Sequence, residues 1–422
     1  MLALLLAAAL TLDDAVKLAL ERNPDLQRQT LLSLSAEQDK VLARSAILPR
    51  LDFNASRART RQYPGTVFFQ NVPFPQGLSS YNTYNAGLIF RQLVFDGGKW
   101  WNNLSSADTA LEASRAQVDE QRLQIVYLVE QRFYELVRAQ RQLTVLADAA
   151  ARSRDQAGFT QRLFEGGRAT QADVYAARAN RDNDEIVRLG QERNVELARA
   201  DLALAIGIDP SEPLTVQEPP RLMDDPAQPP PAPDAVQRAL ASRPSLKAAA
   251  LTLEANRKAA SAARGDYWPV VSLTAAWQRS TDRMSIYTDS PDRNAALSGQ
   301  VNLSWNVFAG LSTDANVRKA EINAALSEND LLNARRSVAS DVEKAVAQLS
   351  TARAQARVAQ QSEQTAKEGL RLARTRQEVG VGTQLEVRDA ELKLTQAQLS
   401  VVGSLVDGRE AEAALRRAQG GT

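Results

Sequence analysis

Apolar residues in this chain recur with two periods, and the order of the periods is written twice. Val271, Leu273, Ala275 and Trp277 stand between Ser272, Thr274, Ala276 and Gln278, while Val301, Leu303, Trp305 and Val307 stand between Asn302, Ser304 and Asn306. In the first half Leu51, Phe53 and Ala55 alternate with Asp52, Asn54 and Ser56, and Leu88, Phe90, Gln92 and Val94 align with the 301–307 set. Period-two alternation predicts strands with one apolar and one polar face, here over about 50–62, 84–96, 268–281 and 296–308. Gln92, Ile89 and Leu93 blur the second of these.

After each strand pair the spacing changes to seven. Val129, Leu136, Leu143 and Ala150 recur in the first half, and Val338, Ala345, Ala352, Ala359, Ala366 and Ala373 in the second, beside Val342, Leu349 and Ala356. Leu385, Leu392, Leu399, Val406 and Ala413 make a further stripe. This is a coiled-coil seam rich in alanine. It predicts helices over about 98–163, 170–206, 312–378 and 383–419. At about 1.5 Å per residue the longest spans roughly 100 Å, so the helices are expected to pack side by side as a rod or tube.

The doubling is literal. Asp14-Ala15-Val16-Lys17-Leu18-Ala19-Leu20 returns as Asp234-Ala235-Val236-Gln237-Arg238-Ala239-Leu240, 220 positions on. Val94-Phe95-Asp96-Gly97 returns as Val307-Phe308-Ala309-Gly310, 213 positions on, so the copies differ in length only between about Ser56 and Tyr84. The expected units are 11–209 and 234–422. Between them lies a linker, 210–233, that holds nine prolines and is expected to be extended and exposed.

Composition narrows the function classes. Lys plus Arg (51) nearly equals Asp plus Glu (50), which leaves no basic field for nucleic acid. The chain has no Cys and no His, so it lacks the usual thiol nucleophile, general base and soft metal ligands. There is no phosphate-cradling or dinucleotide motif, and the expectation is a protein that is not an enzyme and needs no cofactor. Residues 1–10 carry the apolar run of a secretory signal remnant. No later stretch reaches the roughly 18 apolar residues of a membrane-spanning helix. Any spanning would fall to the strands, and four strands per chain are too few where closed membrane barrels need roughly eight or more. If the strands span, several chains share one barrel.

The repeat order, the Val94-Phe95-Asp96-Gly97-Gly98-Lys99-Trp100 segment, its partner Val307-Phe308-Ala309-Gly310 and the paired helix-turn motifs resemble the TolC-type outer-membrane efflux protein family over about residues 11 to 420. The resemblance implies a mainly α fold with a membrane β-barrel: a homotrimer, four strands per chain, continued by a periplasmic α-helical tunnel. It implies a passive conduit fed by an inner-membrane pump or secretion ATPase through a periplasmic adaptor protein. The strand residues Val271, Leu273, Trp277, Val301, Leu303, Trp305 and Val307 would face outer-membrane lipid. A periplasmic coiled-coil adaptor is the alternative, but it leaves the duplicated strand pairs unexplained.

Two tight turns, 162–174 and 376–387, mark the far ends of the helical hairpins. Gly167 and Gly380 fit the left-handed end of one helix. Thr170 and Thr383 fit the cap of the next, with Asp173 and Glu386 three residues on as in a capping box. By resemblance, Gly166, Gly167, Arg168, Thr170, Gly380, Gly382 and Thr383 would form the tip that meets the adaptor, and Glu386, Asp389 and Asp173 would line the constriction. The family pairs the acid matching Asp173 with a Tyr and an Arg that would fall at Gln377 and Gly382. Neither is present, so Arg168, Arg376 or Arg388 is left to replace that lock.

Overall fold

In the computed structural model, residues 9–70, 72–220, 222, 224–288, 290 and 292–421 are described. The signal remnant expected over 1–10 lies outside them except at its last two residues. Helices α1 (Leu12–Arg22) and α2 (Pro24–Ser45) lead into strands β1 (Arg50–Gln62), β2 (Gly65–Phe69), β3 (Val72–Gln76) and β4 (Ser79–Phe95), followed by helices α3 (Lys99–Glu165) and α4 (Gln171–Ile206). The second copy repeats this as α5 (Ala232–Ser242), α6 (Pro244–Arg264), β5 (Val270–Thr281), β6 (Ala295–Ser304), α7 (Ser312–Glu378) and α8 (Gln384–Ala418). No described helix is long and apolar enough to cross a membrane.

The chain divides into two compact units. One comprises 1–33, 114–249 and 330–422, and its core is built of repeat mates. Ala15, Ala19, Val129, Leu136 and Leu202 are buried in one cluster, and Ala235, Ala239, Val342, Leu349 and Leu415 occupy the corresponding places in another. Val338, Ala345, Ala352, Ala359 and Ala373 are buried as their sevenfold spacing predicts. The stripe on α8 differs. Toward the tip Leu385 and Leu392 are exposed and the buried row is Val387, Leu394 and Val401, two residues further on, whereas Val406 and Ala413 of the expected stripe are buried. Both rows are apolar at the same interval, and only packing against α7 chooses between them.

The linker is not the exposed tether that its prolines suggest. Leu214 and Leu222 are buried, and Leu10 pairs with the linker backbone at Thr215 and Gln217. Glu412 accepts from the Ala227 amide at 2.6 Å, Arg409 donates to the Asp224 carbonyl, and Arg141 pairs with Glu218. Gly408 is glycine for a reason, since a Cβ there would lie 2.3 Å from Pro226. Proline sets the extended backbone, and buried leucines and ion pairs fix it in place.

The other unit comprises 34–113 and 250–329. Its sheet has the order β1-β4-β5-β6, all antiparallel, so β1 and β6 are edges. Rows of partners such as Phe53, Leu88, Trp277 and Leu297, or Leu51, Phe90, Ala275 and Gly299, lie on one face. The other face carries Asp52, Asn54, Arg91, Thr274, Gln278, Ser298 and Gln300. The apolar face is open: Phe53 is 64%, Leu297 81% and Val301 72% exposed. At its far end Arg279 is buried, donating to the carbonyls of Ile286 and Arg293, and Ile286 packs with Tyr84 and Ala86.

Three strand ends depart from the pattern. β4 begins at Ser79, five residues before the expected 84, because β1 and β4 stay paired out to Gln62 and Ser79, and β2–β3 forms a second hairpin in the stretch between them. Alternation is lost there because Arg57, Arg59 and Arg61 replace the apolar row, while backbone pairing continues. β6 ends at Ser304 rather than 308, opposite Val270, and β5 begins two residues later than expected because Pro269 has no amide to donate. Trp305 and Val307, assigned to the lipid-facing strand by their spacing, therefore lie beyond it, exposed, and the Trp305 indole donates to the Tyr267 carbonyl.

Candidate functional site: the helical tip and its ion pairs

The tip turns are made by backbone geometry. At the end of α3 the Arg168 amide donates to the Leu163 carbonyl at 2.7 Å and Gly167 to Phe164 at 2.9 Å, with Gly167 at φ +72°. At the end of α7 the Val381 amide donates to Arg376 and Gly380 to Gln377, with Gly380 at φ +81°. Both are Schellman closures, in which glycine takes the left-handed conformation without a Cβ penalty. Gly382 serves proximity instead. A Cβ there would sit 2.9 Å from the Gln377 nitrogen, so this backbone excludes the Arg that the family places here.

The two caps are not equal. Thr170 accepts from the Asp173 amide while Asp173 accepts from the Thr170 amide and hydroxyl, a closed capping box. The Thr170 hydroxyl and amide hold the Asp173 carboxyl below its ordinary range. Thr383 caps α8 through the Glu386 amide, but the Glu386 carboxylate turns to Arg376 at 3.5 Å and the reciprocal half of the expected box is not formed. Asp389 pairs with Lys393 at 2.6 Å. Glu386, Asp389 and Lys393 share a groove of about 610 Å³ between α7 and α8, whose floor is Ala366, Gly369, Ala373 and Ala390. Asp173 is not among its lining residues; it is committed to its own helix cap.

Behind the tip, α8 carries a polar seam at Arg388, Glu391 and Thr395, one helix face by spacing. Arg388 makes a two-pronged pair with Asp184 of α4 at 2.6 and 2.8 Å, both side chains at or below 15% exposed. Hydrogen bonding to Asp184 raises the Arg388 pKa. Glu391, almost fully buried, accepts from Arg374 of α7 at 2.9 Å, and Thr395 accepts from Arg152 of α3 at 3.1 Å. Gln156 and Gln377 approach to 3.5 Å. One stretch of α8 is thus tied to each of the other three long helices. Of the three arginines offered by the sequence as replacement links, Arg388 crosses between the copies, while Arg376 stays within the second.

A titrating group lies further along α8. Arg138 of α3 donates to Asp407 at 2.7 Å and to Glu410 at 2.9 Å, beside a cavity of about 530 Å³ lined by Tyr127, Gln348, Thr351 and Gln355. Burial, reinforced by Asp407 and Glu135 and opposed by Arg138, pushes the Glu410 carboxyl up to about 7. A raised carboxyl pKa favours the folded state most when the group is protonated. This contribution is therefore complete at acid pH and is lost as pH rises from the ordinary carboxylate range through about 7. Thermal unfolding across that window is expected to show a loss on the order of 3 kcal/mol, and Glu410→Gln should flatten the profile.

The outer membrane efflux protein family model matches residues 15–208 and 235–421, one segment per copy. The chain belongs to this family. It is 25% identical over 415 residues to the outer membrane efflux protein BepC of Brucella suis, covering 97% of this chain and 85% of that one. It is also 25% identical to the alkaline protease secretion protein AprF of Pseudomonas aeruginosa, covering 97% and 84%. Its fold matches the CmeC outer-membrane channel of Campylobacter jejuni with a TM-score of 0.86 at 19% identity, over 97% and 85% of the two chains. The chain is an outer-membrane channel component of efflux or secretion, with its helical tunnel in the periplasm, from a family of channels rather than enzymes. The adaptor alternative loses its support, because the family match runs through the strands and helices of both copies.

Proposed function

We propose that three copies of this chain close one barrel and one tunnel, and that the passage they enclose carries solutes delivered by an inner-membrane pump or secretion ATPase through a periplasmic adaptor. One observation carries the reading: a four-stranded sheet with an exposed apolar face, a polar opposite face and two free edges. In water such a face and such edges are a liability. In lipid the face is satisfied, and the edges are satisfied only by closure. The tip residues Gly166, Gly167, Arg168, Thr170, Gly380, Gly382 and Thr383 form the end that meets the adaptor. Val271, Leu273, Trp277, Val301 and Leu303 lie on the face that meets lipid.

In this assembly Glu386 and Asp389 from each copy ring the constriction and favour cations, with Asp173 set back in its cap. Arg376 and Lys393 offset part of that charge, and because all four side chains are exposed the offset is screened. Glu386→Gln combined with Asp389→Asn is expected to lower cation selectivity in planar bilayers and to relieve block by polycations. Unchanged selectivity and unchanged block would remove these acids from the constriction.

A further inference from the structure

One face of the first hairpin changes its chemistry part-way along. Leu51, Phe53 and Ala55 of β1 share a face with Leu88 and Ala86 of β4, and the next residues of β1 on that face are Arg57, Arg59 and Arg61. All three are exposed. β1 follows α2 and β4 leads into α3, so the arginines lie at the end of the hairpin away from the helices. With the helical tunnel in the periplasm, that is the outer end of the sheet.

Cross-strand pairing sets their height. Phe53, Leu88, Trp277 and Leu297 make one row, Ala55, Ala86, Arg279 and Ala295 the next, and Arg57, Tyr84 and Thr281 the one after. β5 stops there, and Arg59 and Arg61 continue along a hairpin that projects past it. Alternate residues on one face of a strand are about 6.6–6.8 Å apart, so the three arginines step outward from the apolar rows. An arginine on the lipid face is costly in the hydrocarbon and nearly free at the interface, which puts this row at headgroup level.

The hairpin gives these charges no counter-charge. From Phe53 to Phe95 there is no acidic residue, and the remaining arginine of that stretch, Arg91, is paired with Asp52 at 2.5 Å. Arg57 lies over the Tyr84 ring at 5.6 Å, and among the described residues no carboxylate pairs with any of the three. Past the end of β5, Asp282 pairs with Arg283 at 4.0 Å. The second copy shows the contrast. Positions 57 and 59 correspond to Trp277 and Arg279, 220 further on, so the apolar row runs one position longer there, and Arg279 is buried with its donors on the Ile286 and Arg293 carbonyls. Arg59, its counterpart, is left facing outward.

We propose that Arg57, Arg59 and Arg61 form a binding row for the phosphates of a lipid headgroup in the outer leaflet of the outer membrane. The inference rests on the reading that the apolar face of the sheet meets lipid. A guanidinium group matches phosphate with two parallel hydrogen bonds, and a phosphorylated headgroup supplies the negative charge that residues 53–95 lack. Three binding points spaced along one strand suit a headgroup with more than one phosphate. The lipid is held against the outer half of β1, with its acyl chains on the apolar band beside it.

The full-length protein in mild detergent, stripped of native lipid, is titrated with lipid A carrying phosphates, and retained lipid is scored by native mass spectrometry. Each basic residue at an anionic surface accounts for roughly fivefold in affinity. Arg57→Gln, Arg59→Gln and Arg61→Gln together should therefore weaken retention by about 100-fold, and Arg59→Gln with Arg61→Gln, which leaves the Arg57–Tyr84 contact in place, by about 25-fold. Dephosphorylated lipid A should bind the wild type as weakly as phosphorylated lipid A binds the triple variant. Equal retention by wild type and either variant, or equal retention of the two lipids by wild type, overturns the proposal. The lipid-facing reading is tested apart from it. The chain contains no cysteine, so Phe53→Cys takes a single bimane label, and in vesicles containing acyl-chain nitroxide lipid its fluorescence should be quenched. Bimane left unquenched there contradicts the lipid-facing sheet itself, and the headgroup site with it.

Discussion

Arg388→Ala should raise the conductance of the assembled channel and the fraction of time it spends open. Arg388 and Asp184 form a two-pronged pair that is almost out of solvent and joins α8 to α4, the returning helices of the two copies. Removing one partner of such a pair leaves a buried charge uncompensated and costs roughly 3–5 kcal/mol. At about 1.4 kcal/mol per factor of ten, even half of that, acting on the tip alone, moves an open–closed equilibrium by more than tenfold. Asp184→Ala should behave likewise, and exchanging the two residues should restore the closed state in part. Planar-bilayer recordings that show wild-type conductance and open time in both single variants would remove the pair from the gate.

The second large effect is on folding. Glu120 of α3 accepts from the Arg243 guanidinium at 2.8 and 3.2 Å and from the Ser245 amide at 3.2 Å, while Arg243 also donates to the Ala418 carbonyl at the end of α8. The side chains are 5% and 11% exposed. In the first copy the corresponding residue is Asn23, which reaches only as far as the Ala205 carbonyl and its own helix start. The arginine therefore clamps the second copy onto the first. Glu120→Ala is expected to destabilise the protein by roughly 3–5 kcal/mol, whereas replacing both residues with apolar ones of similar volume, Glu120→Leu with Arg243→Met, should recover much of the loss. Thermal unfolding followed by circular dichroism distinguishes the two. Equal melting of wild type and Glu120→Ala would mean the clamp contributes nothing.

Periodic and duplicated features were legible in the chain. The seam alanines, the strand faces and the tip glycines each follow from a local rule, because spacing, pleat and left-handed turns are properties of adjacent residues. What could not be read depended on partners far away. Leu385 and Val387 head two equally apolar rows on α8, and near the tip packing against Leu370 and Ala373 of α7 selects the second. Leu214 and Leu222 are isolated leucines in a proline-rich stretch, with nothing local to say that they are buried. The ion pairs join residues about 120 to 200 positions apart, though comparing the copies offers a signal. Asp184 and Arg388 fall opposite Ala397 and Tyr175, and Glu120 falls opposite Asn333. Both of these ion pairs join one copy to the other.

The central claim is that one passage is built from several copies of this chain, because four strands leave two open edges. The mass of the conducting species tests it most directly: protein extracted from outer membranes in mild detergent, sized by native mass spectrometry, and recorded from the same preparation in planar bilayers. The account predicts a species of three chain masses that gives discrete conductance steps, with no steps from the separated monomer. A single chain that inserts and conducts by itself would contradict it.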